Sequence, residues 1–233
     1  MRVGHASLRY DAQGEDTARY IKRVLEKGEL TLLTCTEFQQ AHIQQHLKRV
    51  LSDRWGISKV GEYGLLFNRD VWTRKGSAHW KLTNIPGLED HRQVDVGVWT
   101  LKVDDKSVRV MAAHLPAGIQ HGKRFDSGKR AEAVKQGLKR WGERIENSSM
   151  VQLAHMDCNL DQRHMEWRTY MSRQLNARSV WSVGRPAKGG THRGGRLIDT
   201  AHVAGVQVHS PKVLDVPRPK KIDHKPISYG VNL

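Results

Sequence analysis

Cysteine is nearly missing from this chain: its 233 residues include two, Cys35 and Cys158, both in or beside strand-like stretches. Two thiols cannot staple a disulfide scaffold, and no cysteine pair has zinc-site spacing, so reduced thiols in a cytoplasmic protein are expected. Long apolar runs are missing too. No stretch approaches the roughly 18 apolar residues of a membrane span, and the opening Met1-Arg2-Val3-Gly4-His5-Ala6 lacks the apolar core of a secretory signal. No Gly/Ser/Pro-rich linker, internal repeat or low-complexity segment divides the chain, so a single domain over residues 1–233 is expected. Acidic side chains are scarce: 24 Asp and Glu stand against 39 Lys and Arg, giving a net charge of +15. So one-sided a surface implies a polyanionic partner, most commonly nucleic-acid phosphate, with no membrane involved. A hydrophobic content of 38% still suffices for a core.

The periodicities alternate between helix and strand. Ala18, Ile21, Val24 and Leu25 predict a helix capped by Asp16 and ending near Gly28. Residues 30–36 read as a buried strand ending at Glu37, and Ile43, Leu47, Val50 and Leu51 mark a second helix. Strands are predicted over 63–67, 94–103 and 107–113, the last two joined at Asp104-Asp105. Ala131, Val134, Leu138, Trp141 and Ile145 give the clearest helix, capped by Asp126 or Ser127. A strand over 149–154, a helix around Trp167, Tyr170 and Met171, and strands at Val180, 197–203 and 226–231 complete an α/β pattern.

Polar residues recur at the predicted strand ends: Glu37, His114, Asp157 with Asn159, Asp199, and Asp223 with His224. Asp157-x-Asn159 matters most, because residues i and i+2 of a strand face the same side, so a carboxylate and a carboxamide share one space. Rigid strand ends with converging loops are where α/β folds gather reacting groups. Divalent-metal phosphoryl transfer uses such oxygen-rich clusters.

Leu33-Thr34-Cys35-Thr36-Glu37-Phe38, Ala113-His114-Leu115-Pro116, Asp157-Cys158-Asn159, Arg196-Leu197-Ile198-Asp199 and Asp223-His224-Lys225-Pro226 follow one another across nearly the whole chain. In this order they resemble the motifs of the endonuclease/exonuclease/phosphatase superfamily, the DNase I-like proteins. The resemblance implies an α/β (α+β) fold built as a four-layer α/β/β/α sandwich with the site at one edge of both sheets. It also implies Mg²⁺ or Mn²⁺ held by Glu37 and Asp223. Asp157 would orient or deprotonate water, and Asn159 would donate to the nucleophile or a phosphate oxygen. Asp199 would pair with His224, and His114 would supply a second donor to developing charge. Glu62 matches a position orienting the His114 equivalent, and Arg92 one that contacts phosphate.

The chain departs from the pattern where Ser7 replaces an Asn that supports the metal and its waters; a hydroxyl reaches less far. Arg9 stands where some members carry a second acidic ligand, which favours one metal over two. Ile222 and His155 replace a usual Ser and Gly. His42 and His46 have zincin spacing without the Glu, and residues 184–190 lack Walker spacing. Basic residues cluster on the long helix, in the loop carrying Arg185, Lys188, Arg193 and Arg196, and before Asp223 with Lys212, Arg218, Lys220 and Lys221; the two loops, with Arg193 and Arg196, are the expected phosphate contacts. The leading reading is a metal-dependent nuclease, on DNA before RNA. A phosphatase of a smaller ester and a nucleic-acid-binding protein with a weakened site are the alternatives.

Overall fold

A computed structural model gives the fold and describes every residue except 13, 39–40 and 184–189, together with the side chains of 41 and 42 excepted. Arg185, Lys188 and the His42 side chain thus lie outside the described residues. In chain order the described elements are β1 (Arg2–Ser7), α1 (Glu15–Gly28), β2 (Leu32–Thr36), α2 (Ala41–Val50), β3 (Trp55–Val60), β4 (Tyr63–Asn68), β5 (Thr73–Lys81), β6 (Asp95–Val103), β7 (Lys106–His114), β8 (Gln120–His121), β9 (Arg124–Phe125), α3 (Lys129–Glu146), β10 (Val151–Asp157), α4 (Met165–Gln174), β11 (Arg178–Ser179), β12 (Asp199–Ala204), β13 (Gln207–Val213) and β14 (Ile227–Asn232). They form two six-stranded sheets, ordered β13-β14-β1-β2-β4-β3 and β11-β12-β10-β7-β6-β5, plus the small β8-β9 hairpin.

Alternation along the central strands sorts their side chains into three buried layers. Val3, Leu32, Leu65, Leu101, Val110, Leu153, Val203 and Tyr229 pack between the sheets. Ala6, Leu33, Cys35 and Leu66 point the other way, onto Ile21, Val24, Ile43 and Leu47 of α1 and α2. On the far side, Val96, Met111, Ala154 and Met156 pack onto Val134, Leu138, Trp141 and Ile145 of α3 and onto Trp167 and Met171 of α4. The result is the expected four-layer α/β/β/α sandwich. Trp141 is fully buried, and its indole donates to the Met111 sulfur at 3.1 Å; truncating such a side chain costs about 3–5 kcal/mol. Two glycines inside α3 fit this packing. A Cβ at Gly142 would overlap the Gln174 carbonyl oxygen, so only glycine lets α3 meet the end of α4 there.

Several expectations about element ends are corrected. Gly14, not Asp16, is the N-cap of α1, and Asp16 lies in its first turn. Gly128, at φ 120°, caps α3 in place of Asp126 or Ser127, with no side-chain cap bond. Val180 begins a 3₁₀ turn, Val180–Ser182, capped by the Ser179 hydroxyl, because Trp181 turns inward to donate to the Asp199 carbonyl at 3.1 Å. The strands β3, β5 and β13 carry no strong alternation: β5 and β13 are sheet edges with mostly exposed side chains.

Candidate active site

Register, more than proximity in sequence, assembles the candidate site. β7 and β10 run parallel with Asp157 opposite His114, and β10 and β12 run antiparallel with Asp157 opposite Asp199. Three of the expected residues therefore stand in one row across three neighbouring strands, all on the face turned toward the other sheet. From that sheet, β1 and β2 bring Ser7 opposite Thr36. The Thr36 hydroxyl donates to Ser7 Oγ at 3.0 Å, and Ser7 Oγ donates to Asp157 Oδ2 at 3.3 Å. Ser7 is buried, and its proton is directed at Asp157.

His224 completes the row. Its Nδ1 lies 2.8 Å from Asp199 Oδ2, and its Nε2 lies 3.6 Å from Asp157 Oδ2 and 3.9 Å from Asp223 Oδ1. Burial opposes its charge, but Asp199, Asp157 and Asp223 together raise its pKa to about 10, so it is an imidazolium at neutral pH. Burial likewise works against the Asp199 carboxylate, yet the His224 charge holds its pKa below the ordinary range. Asp157 goes the other way: burial raises its pKa against the pull of His224 and His114. The two carboxylates on either side of one imidazole are thus pushed apart in basicity, with Asp157 the more ready proton acceptor.

His114 forms the second centre. Nε2 lies 3.7 Å from Asp157 Oδ2, while Nδ1 faces Glu62 at 3.7 Å and Glu37 at 3.9 Å. Burial lowers its pKa, and Glu62, Asp157 and Glu37 more than reverse this, to about 9. Glu37 sits just past β2 in a left-handed conformation, φ 55°, with Oε2 accepting from the Tyr10 N–H at 2.8 Å. Burial raises its pKa. Asn159 is also left-handed, φ 51°; its N–H bonds Asp157 Oδ1 at 3.3 Å and its Nδ2 bonds the Leu115 carbonyl at 2.8 Å, which fixes the amide beside the Asp157 carboxylate.

The structure places the remaining expected residues around this row. Asp223 faces His192 Nε2 at 3.6 Å, and its carbonyl accepts from the Arg193 N–H and from Arg218. Arg193 itself is exposed and donates to the Lys220 carbonyl at 2.9 Å. Arg196 is half-buried, its carbonyl held by the Thr191 and His192 N–H groups. Arg92 ends the 3₁₀ turn Asp90–Arg92, pairs with Glu89 at 2.7 Å, and borders a cavity it shares with His114. A neighbouring cavity of about 530 Å³ is lined by Glu62, His114, Asp95 and Arg140.

Sequence reasoning missed two contributors. His192 forms a β-bridge with His224 and closes over Asp223, although its own segment shows no strand pattern. His5, buried on β1, bonds Thr34 at 2.9 Å, lies 3.8 Å from Asp199 and stacks on His155; burial lowers its pKa to about 4, so it is a neutral packing group behind the site. The inward alternation of β1, Val3-x-His5-x-Ser7, was the available signal.

Glu37, Glu62, Asp157, Asp199 and Asp223 outnumber the imidazoles they meet, and Asp157, Asp199 and His224 present ligand atoms within 4.8 Å of one another. An oxygen-rich set of carboxylates at one sheet edge suits a hard divalent cation, so the residues present fit such an ion.

No protein-family profile matches the sequence. No curated protein sequence matches it either. Solved structures do. An endonuclease/exonuclease/phosphatase from Bacteroides vulgatus superposes with a TM-score of 0.75 at 17% identity, covering 100% of this chain and 98% of its own. TDP2 from D. rerio, complexed with a single-strand DNA product, gives 0.73 at 12%, covering 100% and 99%. A mannosyl-6-phosphatase from Bacteroides thetaiotaomicron gives 0.72 at 15%, covering 100% of both chains. Along its whole length, this chain has the DNase I-like fold of the endonuclease/exonuclease/phosphatase structures.

Proposed function

We propose that the protein is a divalent-metal-dependent phosphoric-ester hydrolase that cleaves nucleic-acid phosphodiesters, DNA before RNA. The observation that carries this reading is the register-aligned row His114–Asp157–Asp199 with His224 bound between two carboxylates of opposite pKa shift. Asp157, its carboxylate oriented by the Ser7 hydroxyl and the Asn159 N–H, accepts the proton of the attacking water. The His224 imidazolium, oriented through Nδ1 by Asp199, donates from Nε2 to the phosphoryl oxygens. The partly exposed His114 imidazolium gives a second donor. Glu37 and Asp223, with Ser7 nearby, would hold Mg²⁺ or Mn²⁺. When bound, that ion supplies charge neutralisation at the scissile phosphate and leaving oxygen.

Polymer over small ester is supported by the net charge of +15, by Arg193 and Arg218 bonded to the Asp223 carbonyl, and by Arg196 in the same loop as Arg193. The about 530 Å³ cavity beside His114 supports the second reading, a phosphatase of a compact ester. Supercoiled plasmid incubated with Mg²⁺, Mn²⁺ or EDTA, beside an Asp157→Ala control, separates them. Metal-dependent nicking lost in the variant supports the nuclease. Intact plasmid together with phosphate release from small monoesters would replace it with the second reading.

A further inference from the structure

The cavity beside His114 does not end at the reacting groups. Lys81 and Arg140 line it and also line an adjoining groove of about 680 Å³ formed by the end of β5, Arg109 of β7 and the C-terminal half of α3. Trp80 forms the groove's aromatic wall. The Arg144 guanidinium stacks 4.7 Å from the indole centroid and that of Arg109 lies 5.4 Å from it. Among the described residues, neither guanidinium has a carboxylate within ion-pair distance, and Glu143 is the one acid lining the groove against Lys81, Arg109, Arg140 and Arg144. The Arg140 guanidinium donates to the Leu82 carbonyl at 2.7 Å, which fixes its head at the junction of the two cavities. Arg109 is partly buried, and burial lowers its pKa, so its charge is kept at a solvation cost that no protein anion offsets.

Guanidiniums laid against an indole keep their planes fixed and their N–H edges outward, the geometry that grips phosphate oxygens in pairs. A groove that opens from the cavity beside His114 and carries such cations away from it fits a strand whose next phosphates need neutralising. We propose that the Trp80–Arg109–Arg144 groove is a second phosphate-binding site. It would grip the backbone of a single-stranded polynucleotide several nucleotides from the bond at the His114–Asp157–His224 centre. This rests on the nuclease reading and adds to it a footprint longer than the reacting site. It also gives the α3 basic residues a role that helix-surface charge alone does not imply.

The test is length-dependent affinity. Fluorescence anisotropy in EDTA would compare labelled oligothymidylates of about 4 and about 16 nucleotides, over a salt series, with the wild-type chain and Arg109→Ala/Arg144→Ala. The wild type is expected to favour the longer strand. The double variant is expected to lose about tenfold on it, with the log–log salt slope smaller by about 1.4, two single-strand phosphates' worth. Because Arg109 is partly buried, Arg144→Gln, at an exposed α3 position, is measured too, with an expected slope change of about 0.7. An unchanged length advantage and slope in both variants would overturn the second site while leaving the nuclease reading to the plasmid assay. A wild type with no length advantage would also overturn it, whatever the plasmid assay shows.

Discussion

His224 should make the metal-free protein lose stability as pH rises, by an amount the structure sets. Its folded pKa of about 10 lies above the ordinary value of 6.5 because Asp199, Asp157 and Asp223 outweigh its burial. Below pH 6.5 folded and unfolded chains both carry the proton, and the stabilisation is complete. Between 6.5 and about 10 the unfolded chain gives up the proton while the folded one keeps it, so unfolding free energy falls by about 1.4 kcal/mol per pH unit. The whole interval corresponds to about 5 kcal/mol. The perturbation is His224→Gln, which keeps an N–H donor for Asp199 but cannot titrate. Urea unfolding in EDTA across roughly pH 7 to 9 should show the wild type losing about 2–3 kcal/mol more than the variant. His114, raised to about 9, adds a similar fall to both proteins and drops out of the difference. Parallel stability profiles would refute the charge assigned to His224, and with it the imidazolium donor in the proposed mechanism.

Asp157→Ala is expected to lose about 10²–10⁴-fold in turnover while retaining DNA in a filter-binding assay, since it removes the proton acceptor and no basic residue. Ser7→Ala leaves the buried Asp157 Oδ2 without its hydroxyl donor; the expected cost is about 1–2 kcal/mol of stability by urea titration, and up to about tenfold in kcat with KM unmoved. Gly142→Ala drives a methyl group into the Gln174 carbonyl, so a loss of about 3 kcal/mol or more is expected in the same titration, with the metal dependence of any activity unchanged.

Local pattern made much of the sandwich legible. The 3.6-residue apolar spacing of α3 and the largely buried runs of β6, β7 and β10, covered on both faces, reflect which side chains must leave water, and burial along a single element is enough to impose them. The polar residues at strand ends stood out by contrast with the mainly apolar runs that precede them: Asp157 follows Leu153-Ala154-His155-Met156, and Asp199 follows Leu197-Ile198. Edge strands were not legible, because β5 and β13 bury few side chains and are held by backbone bonds to β6 and β14, which leave little trace in side-chain type.

What the sequence by itself determined is the central helices and strands, their order, and the residue types waiting at their ends. That those ends meet was decided by the tertiary structure. Asp157 stands opposite His114 and Asp199 only through the register of β10 with β7 and β12, and a one-residue slip in either ladder would turn the carboxylate to the other face of the sheet. The burial that raises Asp157, the field that charges His224, the His192 bridge over Asp223, and the stacking of Arg109 and Arg144 on one indole all depend on groups far apart in the chain. Desolvation and Coulomb interactions act through space, so no reading along the chain could supply them.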